Sequence, residues 1–173
     1  MSRRFHVAQA RPNFCVAACV VMIERWRGIA GAYSENRQYV LHEDLHVEGF
    51  VPLRAAEHAL APAEYLGWLD VDNPMALLLV IDQVMGGAWA LVSCVSNAWE
   101  GLFDVHRLTS PHGSLAGGAF YHAVLVVAAD DRSIALLDPW HGPEGQPIAL
   151  SHEDFASAWT GETILIHRDT DAE

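Results

Sequence analysis

Between Pro12-Asn13 and Gly28 the chain runs Phe14-Cys15-Val-Ala-Ala-Cys19-Val-Val-Met-Ile-Glu-Arg-Trp26-Arg27, with no helix breaker and charge only at Glu24, Arg25 and Arg27. This stretch reads as an apolar helix. Pro12 and Asn13 read as turn and capping residues, and Gly28 suits the C-terminal cap. Cys15 then falls in the first helical turn, where the partial positive charge of the helix N-terminus favours thiolate over thiol. Thiolate is the form that attacks a carbonyl carbon. Cys15 and Cys19, at i and i+4, also suit a simpler role as small buried hydrophobes, and Cys19, one turn deeper, is read as core.

A second stretch lifts Cys15 above that simpler role. Gly117-Gly-Ala-Phe-Tyr121-His122-Ala-Val-Leu-Val-Val-Ala128 is followed by Asp130-Asp-Arg-Ser and then by Ile134-Ala-Leu-Leu-Asp138-Pro-Trp140. A valine-rich run, a charged turn and a second apolar run predict a β-hairpin. His122 enters the first strand and Asp138 leaves the second, so antiparallel pairing brings imidazole and carboxylate to one end of the hairpin. With a thiol beside them, these groups form the nucleophile, base and orienting partner of acyl transfer. Asp130 and Asp131 fall at the far end, which makes Asp138 the orienting group.

In these residues the chain resembles the papain-like cysteine peptidases, and most closely the bacterial peptidases that cut leader peptides after a double glycine and related small effector proteases. The resemblance rests on Gln9, six positions before Cys15; on Asn13-Phe-Cys15 with Ala17-Ala18-Cys19; and on Gly118 to Val127 with Asp138-Pro-Trp140, in the order Gln, Cys, His, Asp. Val16 and Ala17 depart from the Gly or Trp and the Pro usual after the cysteine. The resemblance implies an α+β fold in which an N-terminal helical half, residues 1–87, packs on an antiparallel β half, residues 88–168, within one domain. It implies Cys15 as nucleophile, His122 as base, Asp138 as orienting group and Gln9, with the Cys15 N–H, as oxyanion hole. Gly118, Tyr121 and Trp140 are candidate substrate-binding residues, with Trp140 better suited to packing over the hairpin end. The substrate would be a peptide or protein, attacked through a thioester, and no metal or organic cofactor is required.

Composition limits the partners. The 173 residues are 51% hydrophobic and 18% charged, enough for one domain with a substantial core. A net charge of −12 disfavours nucleic acid and anionic membranes and favours a neutral or cationic peptide. No apolar run reaches the roughly 18 residues of a membrane span. Arg3-Arg4 followed by apolar residues 14–23 mimics a signal peptide, but cleavage there would remove Gln9 and Cys15, so a cytoplasmic location is expected. Three cysteines, two of them one helical turn apart, argue for a reducing compartment.

Elsewhere, residues 35–46 read as a short polar helix and residues 53–68 as one or two helices interrupted at Pro62. Asn73-Pro74 opens a helix that Gly86-Gly87 ends. Residues 88–95 read as a buried strand, and residues 96–117 as a loop that suits a substrate-binding wall or lid. Ser151-His-Glu-Asp154 resembles a capping box, and residues 163–167 a last strand.

Three other classes are open to the chain. His42-Glu43-Asp44-Leu45-His46 fits the zinc-hydrolase pattern His-Glu-x-x-His, with Glu64 as a distant third ligand, against a plainer reading as a solvated helix face. The same fold also serves as an acyltransferase, when an amine or thiol replaces water, or as an idle binding domain. His141, beside Pro139 and Gly142, reads first as a turn residue, and His6 belongs to no constellation.

Overall fold

A computed structural model describes residues 2–95 and 121–168. The segment 96–117 with its expected wall or lid, Gly118, and the tail 169–173 lie outside the described residues. The first helix, α1, spans Cys15–Arg27 and is buried from Val16 to Glu24. It ends at Gly28, whose φ of 75° is the left-handed cap conformation; the N–H groups of Gly28 and Ile29 turn back to the carbonyls of Arg25 and Glu24. At the other end the expectation fails. Phe14, not Asn13, is the N-cap, and no side chain caps the first turn, because the Asn13 amide donates instead to the Gly49 carbonyl at 2.6 Å.

Helix α2 (Arg37–Leu45) and the short α3 (Ala55–Ala59) pack against α1, and their buried residues Leu41, Leu53 and Ala56 join its core cluster. The Glu24 carboxylate on α1, 3% exposed, accepts both arms of the Arg37 guanidinium, which fastens α2 to α1. Residues 53–68 depart from the helical reading. The helix stops at Ala59, Pro62 blocks its continuation, and β1 (Ala63–Trp68) follows as an edge strand. Its Ala, Glu and Leu favour helix locally, yet inward Ala63 and Tyr65 alternating with outward Glu64 suit a strand once β6 is there to pair with.

Helix α4 (Pro74–Met85) begins as expected, with the Asn73 side chain accepting from the Met75 N–H. Strands β2 (Trp89–Val95), β3 (Tyr121–Ala129), β4 (Ser133–Leu137) and β5 (Ile148–Ser151) follow, then helix α5 (His152–Ala158), capped by Ser151, and strand β6 (Trp159–Ile166). They form a six-stranded antiparallel sheet in the order β1-β6-β2-β3-β4-β5. One sheet face, with Leu91, Ala123, Leu125 and Ile164, packs on α1. The other, with Val92, Val124, Val126 and Leu165, packs on α4 and α5 through Val80 and Phe155. Covered on both faces, β2 and β3 are apolar along nearly their whole length, which is why they read as continuous hydrophobic runs.

Candidate active site

Packing of α1 across β3 sets the first turn of the helix against the start of the strand, and so brings Cys15 to His122. The β3–β4 pairing, with Leu125 opposite Leu137, carries Asp138 to the same end. His122 Nε2 donates to Asp138 Oδ1 at 2.8 Å, with the two side chains 3% and 0% exposed. The Cys15 thiol shares a hydrogen bond with the His122 ring. Because Nε2 is taken by Asp138, Nδ1 is the ring atom left for the thiol. The structure therefore brings together the three residues that the hairpin argument selected.

Asp138 is held from every side. Oδ1 also accepts the Trp140 N–H at 2.8 Å, and Oδ2 accepts Nδ1 of His141 at 3.1 Å. The Gln146 side chain brackets its backbone, accepting the Asp138 N–H at 2.9 Å and donating to its carbonyl at 2.8 Å, and His6 Nε2 donates to the same carbonyl at 3.0 Å. Sequence reasoning missed His6, His141 and Gln146. His141 lies three residues past Asp138 and offered a local signal, but His6 and Gln146 reach Asp138 only through the tertiary fold.

The charges follow from these contacts. Burial opposes ionisation of Asp138, but the His122 and His141 contacts outweigh it and hold the carboxyl far below the usual range. Burial also opposes a charged His122, yet Asp138 and the Cys15 sulfur push its pKa up to about 10. For Cys15, burial raises the thiol pKa, while the His122 hydrogen bond and charge, with backbone hydrogen bonds at Ala123 and Val16, bring it below the ordinary value. The Val16 N–H belongs to the first turn of α1, which no side chain caps. Cys19 and Cys94 behave differently: both are fully buried, their pKa values are pushed well up by burial, and their thiols donate to the carbonyls of Ala123 and His122. Both belong to the core.

Gln9 is 2% exposed and sits next to the Asp138-Pro139 segment, its backbone N–H donating to the Pro139 carbonyl at 2.7 Å. Its amide nitrogen donates to the carbonyls of Arg11 and Pro12 at 2.7 and 2.8 Å, shaping the loop that leads to Cys15. Trp140 is buried behind His122 in edge contact with the ring. Tyr121 is exposed and lines a cavity of about 460 Å³ that opens at Cys15 and His122 and is walled by Phe50, Pro52, Leu53 and Trp68.

The His-Glu-x-x-His residues lie at the end of α2, with His46 as its C-cap, and the solvated-face reading holds for all but His42. His42 is buried, its ring stacked on Phe14 at 4.2 Å, while Glu43, Asp44 and His46 are exposed. Among the described residues no group of three or more His, Cys, Asp or Glu is placed to hold a metal ion.

No family model and no curated protein sequence matches the chain. Solved structures do. One is a protein described as a C39-like peptidase from Bacillus anthracis, with a TM-score of 0.59 at 14% identity, 96% of each chain being covered. Another is the peptidase domain of Streptococcus ComA, a bifunctional ABC transporter involved in a quorum-sensing pathway, with a TM-score of 0.56 at 18% identity over 94% of this chain and 97% of that one. The chain thus has the papain-like fold of the C39-like peptidases, as its sequence resemblance implied. Among the described residues no helix is long and apolar enough to cross a membrane.

Proposed function

We propose that this chain is a cysteine peptidase that cleaves a peptide bond through a thioester on Cys15. The observation that carries the reading is the chain of contacts from Cys15 through His122 to Asp138 at the mouth of a cavity. The peptidases that share the fold support it. The Cys15 thiolate attacks the scissile carbonyl carbon. A C–S bond forms and the carbonyl oxygen takes the negative charge, held by the Cys15 backbone N–H. Gln9 serves as second donor when one of its amide hydrogens turns from the Arg11 or Pro12 carbonyl to the oxyanion. As the tetrahedral adduct collapses, the C–N bond breaks and the His122 imidazolium gives its proton to the leaving amine. Neutral His122 then takes a proton from water, whose oxygen attacks the thioester; the C–S bond breaks, the acid leaves and the thiolate–imidazolium pair returns. Asp138 keeps the ring oriented and favours its charged state throughout.

The test is incubation with a mixed peptide library, followed by mass spectrometry for new termini, in water enriched in oxygen-18. Cleavage with one labelled oxygen per new C-terminus, lost in Cys15→Ala and in His122→Ala, is the expected result. Peptides joined to an added amine, without label, would mean that transfer replaces hydrolysis, and an intact library would point to an idle domain.

A further inference from the structure

The cavity at Cys15 is apolar along most of its wall, and among its described lining residues one is a carboxylate. Glu162, on β6, lines it and is only half-buried. Its Oε1 accepts the Tyr65 hydroxyl at 3.0 Å, which anchors the carboxylate on the sheet. Among the described residues no cation lies within ion-pair distance of it; Arg54 rests over the ring of its Tyr65 partner instead. Burial raises its pKa even though the Tyr65 bond lowers it, so the ionised carboxylate is poorly solvated where it stands. Trp68 is the cross-strand neighbour of Glu162, and the exposed Trp68 and Tyr121 rings meet edge to face, 6.3 Å apart, beside it. A carboxylate in the wall of an aromatic and aliphatic pocket is the arrangement that takes a long cationic side chain. The rings cover the methylene stem and attract the charge through their faces, and the carboxylate receives the N–H donors. The net charge of −12 adds long-range attraction for such a peptide.

We infer that Glu162, with Trp68 and Tyr121, forms a specificity subsite for a lysine or arginine side chain of the peptide substrate. This assignment rests on the peptidase reading only for the word substrate; the pocket itself is testable without turnover. The measurement uses Cys15→Ala, with the Trp68 indole N–H followed by NMR during titration with N-acetyl-lysine methylamide and, separately, with N-acetyl-norleucine methylamide, which has the same stem without the charge. A charge-assisted contact in a half-exposed site predicts that the lysine compound binds about fivefold tighter or more. Glu162→Gln abolishes that preference, and Glu162→Lys reverses it toward N-acetyl-glutamate methylamide. Equal affinities for the two compounds, or a lysine preference that survives in Glu162→Gln, would overturn the assignment. Iodoacetamide labelling of the native protein scores Cys15 separately: a reactive Cys15 without lysine preference sinks the subsite alone, and an unreactive Cys15 with lysine preference sinks the peptidase alone.

Discussion

His141 Nδ1 donates to Asp138 Oδ2 at 3.1 Å, so the carboxylate that orients His122 through one oxygen is held by a second imidazole through the other. Removing His141 leaves a fully buried carboxylate oxygen short of a donor. His141→Ala should cost about 1–3 kcal/mol in urea unfolding and slow Cys15 alkylation at neutral pH, with His141→Asn, which keeps an N–H, recovering part of both. Unchanged alkylation in His141→Ala would reduce the residue to packing.

The pH profile of Cys15 alkylation carries the electrostatics of the pair. His122 stays charged up to about 10 and lowers the Cys15 pKa against the opposing effect of burial. Iodoacetamide should therefore label native Cys15 at pH 7 about tenfold faster or more than the same cysteine in urea. In His122→Ala burial, the largest effect, is opposed only by the backbone hydrogen bonds at Ala123 and Val16, so the order reverses and labelling climbs only in the alkaline range. Mass spectrometry separates Cys15 from Cys19 and Cys94, which should stay unlabelled until unfolding.

Asp138 contributes to stability with a definite sign. Its folded-state pKa is depressed, so its contribution is complete above the unfolded carboxyl value of about 4 and is lost as pH falls below it. The stability gap between the native protein and Asp138→Asn should be widest near pH 7 and close progressively below about pH 4. Urea titrations at neutral and acidic pH measure it; a gap independent of pH would mean that the carboxylate is not the stabilising form.

Arg37→Ala strands the Glu24 carboxylate on the buried side of α1. Breaking one side of such a pair costs about 3 kcal/mol or more. The double variant Glu24→Gln, Arg37→Ala should be the more stable of the two, because no buried charge is left unpaired.

Gly161 holds φ at +91°, and a Cβ there would lie 2.1 Å from the Leu69 carbonyl oxygen, to whose own N–H the Gly161 carbonyl is bonded at 3.0 Å. Backbone strain and a clash with main chain together predict a loss of at least about 2 kcal/mol for Gly161→Ala in thermal or urea unfolding. A variant as stable as the native protein would show that the β1–β6 edge is free to shift.

The local signals were strong where short-range chemistry decides structure. Gly28, Asn73-Pro74 and Ser151 marked helix ends because caps need particular side chains or a positive φ. The hairpin was legible because β-branched runs and a charged turn leave few alternatives, and its geometry alone placed Asp138 beside His122. β1 was not legible, since an edge strand takes its structure from the partner that pairs with it, here β6 ninety or more residues later. Asn13 was misread as a cap because its amide found Gly49 across space.

By itself, then, the sequence determined the Cys helix, the His–Asp hairpin and the meeting of His122 with Asp138 at one end of it. Each depends on neighbours within a few residues or on the fixed pairing of an antiparallel turn. Only the tertiary structure decided what surrounds them: His6, His141 and Gln146 closing on Asp138, His42 stacked under Phe14, and Glu162 set among Trp68 and Tyr121 in the cavity. Those contacts join segments far apart in the chain. Their geometry comes from how α1 and β6 seat on the sheet, a property of the packed core as a whole that no local pattern encodes.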